Sequence, residues 1–217
     1  MVDVSLTGKV RGGFMACLPL LGLLIAGCMQ SGTMVASSDA NFTARDRREL
    51  ANPPYRQASI SPTYQRQIVP YHRKEAPGSI LVDSRGPFVY YVLSGGKAIR
   101  YGAIVGEAGM SWSGVATVGR KEEWPGWTPT PDEKRRLGPL PNYVEGGPHN
   151  PMGARGIYLY SSGKDTLFRI HGTNQPEYIG QAISSGCIRM TNEDAIDLYN
   201  QVKIGAPVIV LPPGQGA

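Results

Sequence analysis

The sequence predicts a mainly β fold with one helix near the C-terminus. Three observations carry that expectation. Gly 28 and Pro 18 punctuate the 217 residues, the apolar runs between them are short and rich in Val, Ile and Tyr, and a strong turn signal joins two of these runs. Hydrophobic content of 41% is ordinary for a chain with one core plus extensions. The net charge of +5 and a pI near 9.2 come without a basic helix, zinc-knuckle spacing or aromatic RNA-binding motif. Nucleic acid is therefore not an expected partner, and a mild attraction to anionic cell-surface polymers or lipids is the more modest inference.

Residues 1–27 look like an export signal. Lys9 and Arg11 form a positive start, and Phe14 to Ala26 is an apolar stretch too short to span a bilayer comfortably. Its end, Ile25-Ala26-Gly27-Cys28, resembles a bacterial lipobox, which implies cleavage before Cys28 and lipidation of that thiol. A plain signal peptide cut near Ala36, or an uncleaved anchor, are the alternatives. Residues 28–77 lack sustained periodicity and carry the breakers Asn52-Pro53-Pro54 and Ser61-Pro62. They read as an irregular tether, with Arg45 to Glu49 as a solvated charge run.

The pattern changes at Gly78. Ser79–Asp83 and Phe88–Leu93 read as strands, and Ser94-Gly95-Gly96-Lys97 as the hairpin turn into a third run, Ala98–Val105. Trp112–Val118 is another candidate strand. Gly119–Pro148, with Trp124, Trp127 and several prolines, is a long connection whose tryptophans would either cover a substrate or pack locally. Gly156–Tyr160 and Leu167–Ile170 are further strands, the second delivering His171 at its end. After Met190 comes the helix: Thr191 or Asn192 can cap it, Glu193 and Asp194 suit its positive end, and Ala195, Leu198, Tyr199 and Val202 form its apolar face up to Gly205. Ala206–Leu211 is a closing strand, and residues 212–217 a frayed tail.

The chemistry concentrates in Ile170 to Met190. Cys187 is the only cysteine outside the first 28 residues, and His171, one of three histidines, lies sixteen positions upstream. A thiol needs a nearby base or positive field to act as a nucleophile. Most free cysteines are small buried hydrophobes. Here, however, Ser184, Ser185 and Gly186 suit a tight polar turn, Gly172, Gly180 and Gly186 let backbone approach a ligand, and export leaves the thiol without a disulfide partner. The run after Cys187 reads as the start of a helix, so neighbouring amides would point at a developing oxyanion. Acyl transfer through a thioester is the expected chemistry. As metal ligands, His72, His149, His171 and Cys187 lack short paired spacing, so no metal or other cofactor is expected.

Ile170-His171-Gly172-Thr173, Gly180 and Ser184-Ser185-Gly186-Cys187-Ile188-Arg189-Met190 together resemble the L,D-transpeptidase (YkuD-type) catalytic domain of bacterial cell-wall enzymes. Asn150 to Arg155 and Trp124 to Pro129 support the likeness, which covers residues 78–211. It implies a β-sandwich of mixed sheets and a cysteine transpeptidase acting on peptidoglycan stem peptides. In that scheme Cys187 is the nucleophile and His171 the base, oriented by the Gly172 carbonyl. The amides of Gly186 and Cys187, with Ser185, form the oxyanion hole. Many members carry a second histidine where this chain has Ser185. Arg189 would bind a substrate carboxylate or, by slight preference, pin the loop through a salt bridge.

The acceptor would be an amine of a neighbouring stem or of a wall-attached lipoprotein, with the protein held to a membrane by its lipid. Two other readings share the residues. One is a cysteine amidase or carboxypeptidase that trims wall peptides or releases lipoprotein. The other is a non-catalytic wall-binding lipoprotein in which Cys187 is structural.

Overall fold

The structure is a computed structural model that describes residues 1–3, 32–35, 39–107, 110, 112–212 and 215–217. The expected export signal and the lipidation position Cys28 lie outside the described residues. Among those described, no helix is long and apolar enough to cross a membrane.

The strands are β1 (Thr33–Met34), β2 (Gln67–Pro70), β3 (Ile80–Asp83), β4 (Phe88–Leu93), β5 (Lys97–Gly102), β6 (Val105–Gly106), β7 (Gly114–Glu123), β8 (Arg155–Ser161), β9 (Lys164–His171), β10 (Ala182–Ser184), β11 (Ile188–Arg189) and β12 (Pro207–Val210). The helices are α1 (Ala44–Ala51), α2 (Pro131–Leu137) and α3 (Asn192–Gln201). The fold is mainly β, as the composition predicts, with the mixed pairing that the family resemblance implies. Ten strands form one sheet in the order β1-β2-β5-β4-β3-β12-β7-β8-β9-β11, and β10 pairs with β6 apart from it. Most pairs are antiparallel, while β12 with β3, β11 with β9 and β10 with β6 are parallel. Reciprocal amide bonds between Ile104 and Arg189 join the chain beyond β5 to β11, bringing the far edge of the sheet back toward the meander.

The core lies inside this curved sheet. Ile80, Val82, Val89, Tyr101, Val118, Leu159, Ile170 and Met190 meet the apolar face of α3 at Ala195 and Leu198. Strand β3 is buried on both sides, because Leu81 faces a second cluster with Tyr71, Val92, Ala98 and Leu211. A continuous apolar run, rather than an alternating one, is what such a strand requires.

Several expectations are corrected. Residues 28–77 are not a loose tether where they are described. Strand β2 extends the main sheet beside β5, and α1 is capped by a reciprocal Thr43–Asp46 box. In the charge run Arg45, Arg47 and Arg48 are exposed as expected, but Asp46 is fully buried, 2.6 Å from Arg155 Nη2, and accepts from Nη1 at 2.8 Å and from Trp124 Nε1 at 2.9 Å. Burial raises the Asp46 pKa, but the bonds from Arg155 and Thr43 outweigh it and hold it at about 2. The connection at Gly119–Pro148 is shorter than expected, since β7 runs on to Glu123 and α2 occupies its middle, started by a Thr130–Glu133 capping box. At the C-terminal end, the Ala217 amide donates to Asp83 Oδ2 at 2.9 Å, so the tail is held there. The residues after Cys187 enter β11, not a helix.

Replacing Asp46 with Ala leaves the Arg155 guanidinium charged and uncompensated in the interior. The expected loss is about 3–5 kcal/mol, measured by urea unfolding, and the double change Asp46→Leu, Arg155→Met should recover most of it. A loss under about 1 kcal/mol in the single variant would show that water reaches Arg155.

Candidate active site

Parallel pairing of β11 with β9 sets Ile188 beside Ile170 and Arg189 beside His171. One residue earlier, Cys187 comes alongside Arg169, whose backbone amide hydrogen-bonds to it. Arg169 and His171 are two apart on one strand and so share a face, which puts the sulfur and the imidazole on the same side of the sheet. His171, Ser185, Cys187 and Arg189 all line one cavity of about 970 Å³, walled also by Trp127, Glu133 and Gln175.

The turn before the sulfur is built by Ser184. Its buried hydroxyl accepts from the Gly186 amide at 3.1 Å and donates to the Cys187 carbonyl at 2.5 Å. Gly186 sits at φ 118°, and a side chain there would meet Phe168 and the Met110 carbonyl, so only glycine fits. This engages one of the three amides expected at the oxyanion hole. Upstream, the Val105 and Glu107 amides donate to Gln181 O and Ser184 O, fixing the approach to the turn on the strand that follows the meander.

His171 is buried, with Nδ1 2.6 Å from the Gly172 carbonyl. A carbonyl requires a donor, so Nδ1 carries the proton and Nε2 the lone pair. Burial pushes the imidazole pKa down to about 3, the Arg189 charge lowers it further, and backbone bonds at Gly172 and Met152 oppose the shift. Burial likewise raises the Cys187 thiol, against the Arg169 amide and the charges of Arg169 and Arg189, while Glu133 adds to the rise. Both shifts favour a neutral imidazole and a thiol at neutral pH.

Arg189 does not form the expected loop salt bridge. Among the described residues no carboxylate lies within 4.0 Å of it, and its Nη1 donates to Gln175 Oε1 at 3.4 Å. By contrast Arg120, Arg135 and Arg169 on the same cavity are each paired with an acid. The tryptophans divide: Trp124 is 3% exposed and packs with Ala154 and Ile196, whereas Trp127 lines the cavity. His149 and His72 are exposed and stand outside the cavity lining. Among the described residues no group of three or more His, Cys, Asp or Glu side chains is arranged to hold a metal ion.

Sequence reasoning passed over Glu133 and Asn192. The Thr130-Pro131-Asp132-Glu133 pattern is a capping signature that would have placed α2 at the cavity mouth. Asn192 reads only as a helix cap.

The catalytic-domain profile of the L,D-transpeptidases (YkuD) matches residues 77–210, and the chain belongs to that family. A probable L,D-transpeptidase ErfK/SrfK of Escherichia coli is 41% identical over 115 residues, covering 49% of this chain and 35% of that one. The probable L,D-transpeptidase YbiS of the same organism is 36% identical over 138 residues, covering 59% and 43%. A solved structure from Brucella melitensis, described as a probable carnitine operon oxidoreductase, is 43% identical and covers 70% of this chain and 96% of that one, with a TM-score of 0.46. The chain thus spans well under half the length of these two Escherichia coli relatives.

Acid should expose the burial of His171. A group whose folded pKa lies near 3 against 6.5 unfolded contributes stability that is complete above pH 6.5 and lost as pH falls toward 3. Asp194, raised by burial from 3.8 to about 7, has the opposite sign in the same window, so the contribution must be read by difference. Between about pH 4 and 6.5 the unfolding free energy of wild type minus that of His171→Gln should grow by about 2–3 kcal/mol. A flat difference would show that the ring is solvated.

Proposed function

We propose that this chain is a peptidoglycan L,D-transpeptidase. The observation that carries the reading is that Cys187, His171 and the acid-free Arg189 open onto one cavity in a domain of that family. The neutral His171 Nε2 takes the thiol proton as Cys187 Sγ attacks the carbonyl of the third stem residue. The bond to the terminal D-alanine breaks, and D-alanine leaves with the proton that His171 carried. An amine then attacks the thioester, its proton passing through His171 to the departing sulfur. That amine belongs to the diamino acid of a neighbouring stem or to a lysine of a wall-attached lipoprotein.

Each neighbouring residue has a role in this scheme. Gly172 orients the base through its carbonyl. The amides of Ser185 and Cys187 stabilise the oxyanion, while the Gly186 amide, engaged by Ser184, shapes the turn. Arg189 binds a carboxylate of the stem peptide, the role open to a cationic fork without an acid partner. In the same reading the protein acts at the cell envelope, exported and anchored to a membrane through lipidated Cys28.

Intact-protein mass spectrometry with a stem tetrapeptide tests the scheme. Wild type should gain the acyl mass with release of D-alanine, and Cys187→Ala should do neither while keeping its fold. Release of D-alanine by Cys187→Ala would exclude the mechanism. Arg189→Met should raise KM for the donor about 10- to 100-fold, the worth of a charged hydrogen bond, and Ser185→His should remain soluble and active.

A further inference from the structure

The imidazole of His171 is held by backbone alone, at Gly172 on one loop and at Met152 on another. Neither loop is a regular element, yet a base must keep its orientation to act. The question is what holds the two loops. Gly172 N–H donates to the Arg155 carbonyl at 3.0 Å, which ends the β8–β9 ladder; beyond it Asn174 Nδ2 donates across to the His149 carbonyl at 2.9 Å, Asn150 Oδ1 accepts from the Met152 amide at 2.7 Å, and one further partner bonds to both loops.

That partner is Asn192, first residue of α3 and 2% exposed. Its Oδ1 accepts from the Ala154 amide at 2.8 Å, and its Nδ2 donates to the Thr173 carbonyl at 3.0 Å and to the Tyr55 hydroxyl at 2.8 Å. One carboxamide therefore ties the loop of Met152 to the loop of Gly172 through its oxygen and one N–H, and gives its other N–H to Tyr55. Gly153 and Gly172 face this amide so closely that a Cβ on either would collide with Asn192 Oδ1. The two glycines are thus what lets the carboxamide sit between the loops. Aspartate would lose the donor to Thr173 O, and alanine would leave a buried amide and carbonyl unpaired.

We propose that Asn192, steadied by Tyr55, is the residue that positions His171 for proton transfer, and that residues outside the family-matched segment 77–210 therefore take part in the site. Asn192 touches neither ring nor sulfur, so it is a positioning residue. Its measurable effect on catalysis rests on the transpeptidase reading, whereas its effect on the ring does not. The charges facing the ring are Arg189 from β11 and Arg169 from β9, and both remain in the variants below.

Two readouts on full-length protein test the proposal. In Asn192→Ala, kcat for acyl transfer should fall about 10- to 100-fold, the cost of small misplacement, with KM within about twofold. NMR titration of the His171 ring proton, which needs no substrate, should move from far below pH 6.5 toward it as the loops loosen and water reaches the ring. Tyr55→Phe removes only the third bond of the carboxamide, so it should shift both readouts in the same direction by less, and it carries the test if Asn192→Ala fails to fold. Unchanged kcat and ring titration beside a lowered melting temperature would overturn the proposal and leave Asn192 a stability residue. If wild type forms no thioester, the transpeptidase reading fails, and the ring titration alone decides the role of Asn192.

Discussion

The site depends on one pairing, the parallel register that sets Arg189 beside His171. Parallel neighbours cannot be joined by a tight turn, so the chain must leave β9, travel through residues 172–187 and return alongside. That detour is the motif. It places the sulfur on the return strand and the imidazole on the outgoing one, and the amide of Arg169 bonds to Cys187 as part of the same geometry. A slip of one residue would send Cys187 to the opposite face, and the buried Ile170, Ile188 and Met190 resist that slip because each would have to leave the core.

Burial then decides how the pair behaves. An apolar surround lowers the imidazole and raises the thiol, so both shifts favour an uncharged resting pair. The nearby arginines do not reverse this, since most of their charge is already met by Asp165, Asp132 and Glu122. Arg189 is the exception on the cavity wall. The site joins a buried, neutral thiol to an available cation on the same cavity.

The strands β3, β4, β5, β8, β9 and β12 are legible in sequence because turn residues bound short β-rich runs, and α3 is legible from its cap and apolar face, whereas β10 and β11 are too short to read. The segment holding His171 and Cys187 stands out because so few cysteines and histidines exist. The joining of the two strands is not legible, since parallel register is settled by tertiary packing and not by local propensity. Asp46 is missed for a related reason. Within Arg45 to Glu49 it is one charge among five, and only the fold puts it against Arg155 from 109 positions away. Arg189 is expected to find an acid and does not, because its side chain turns to the cavity and Gln175.

The ion pair between Asp46 and Arg155 implies that similarity and self-sufficiency have different borders in this protein. A chain trimmed to residues 77–210 would keep Cys187, His171 and Arg189, yet it would strip the counter-ion from an interior guanidinium and the Tyr55 hydroxyl from Asn192. A segment that keeps this guanidinium paired must therefore begin upstream of the family-matched residues 77–210.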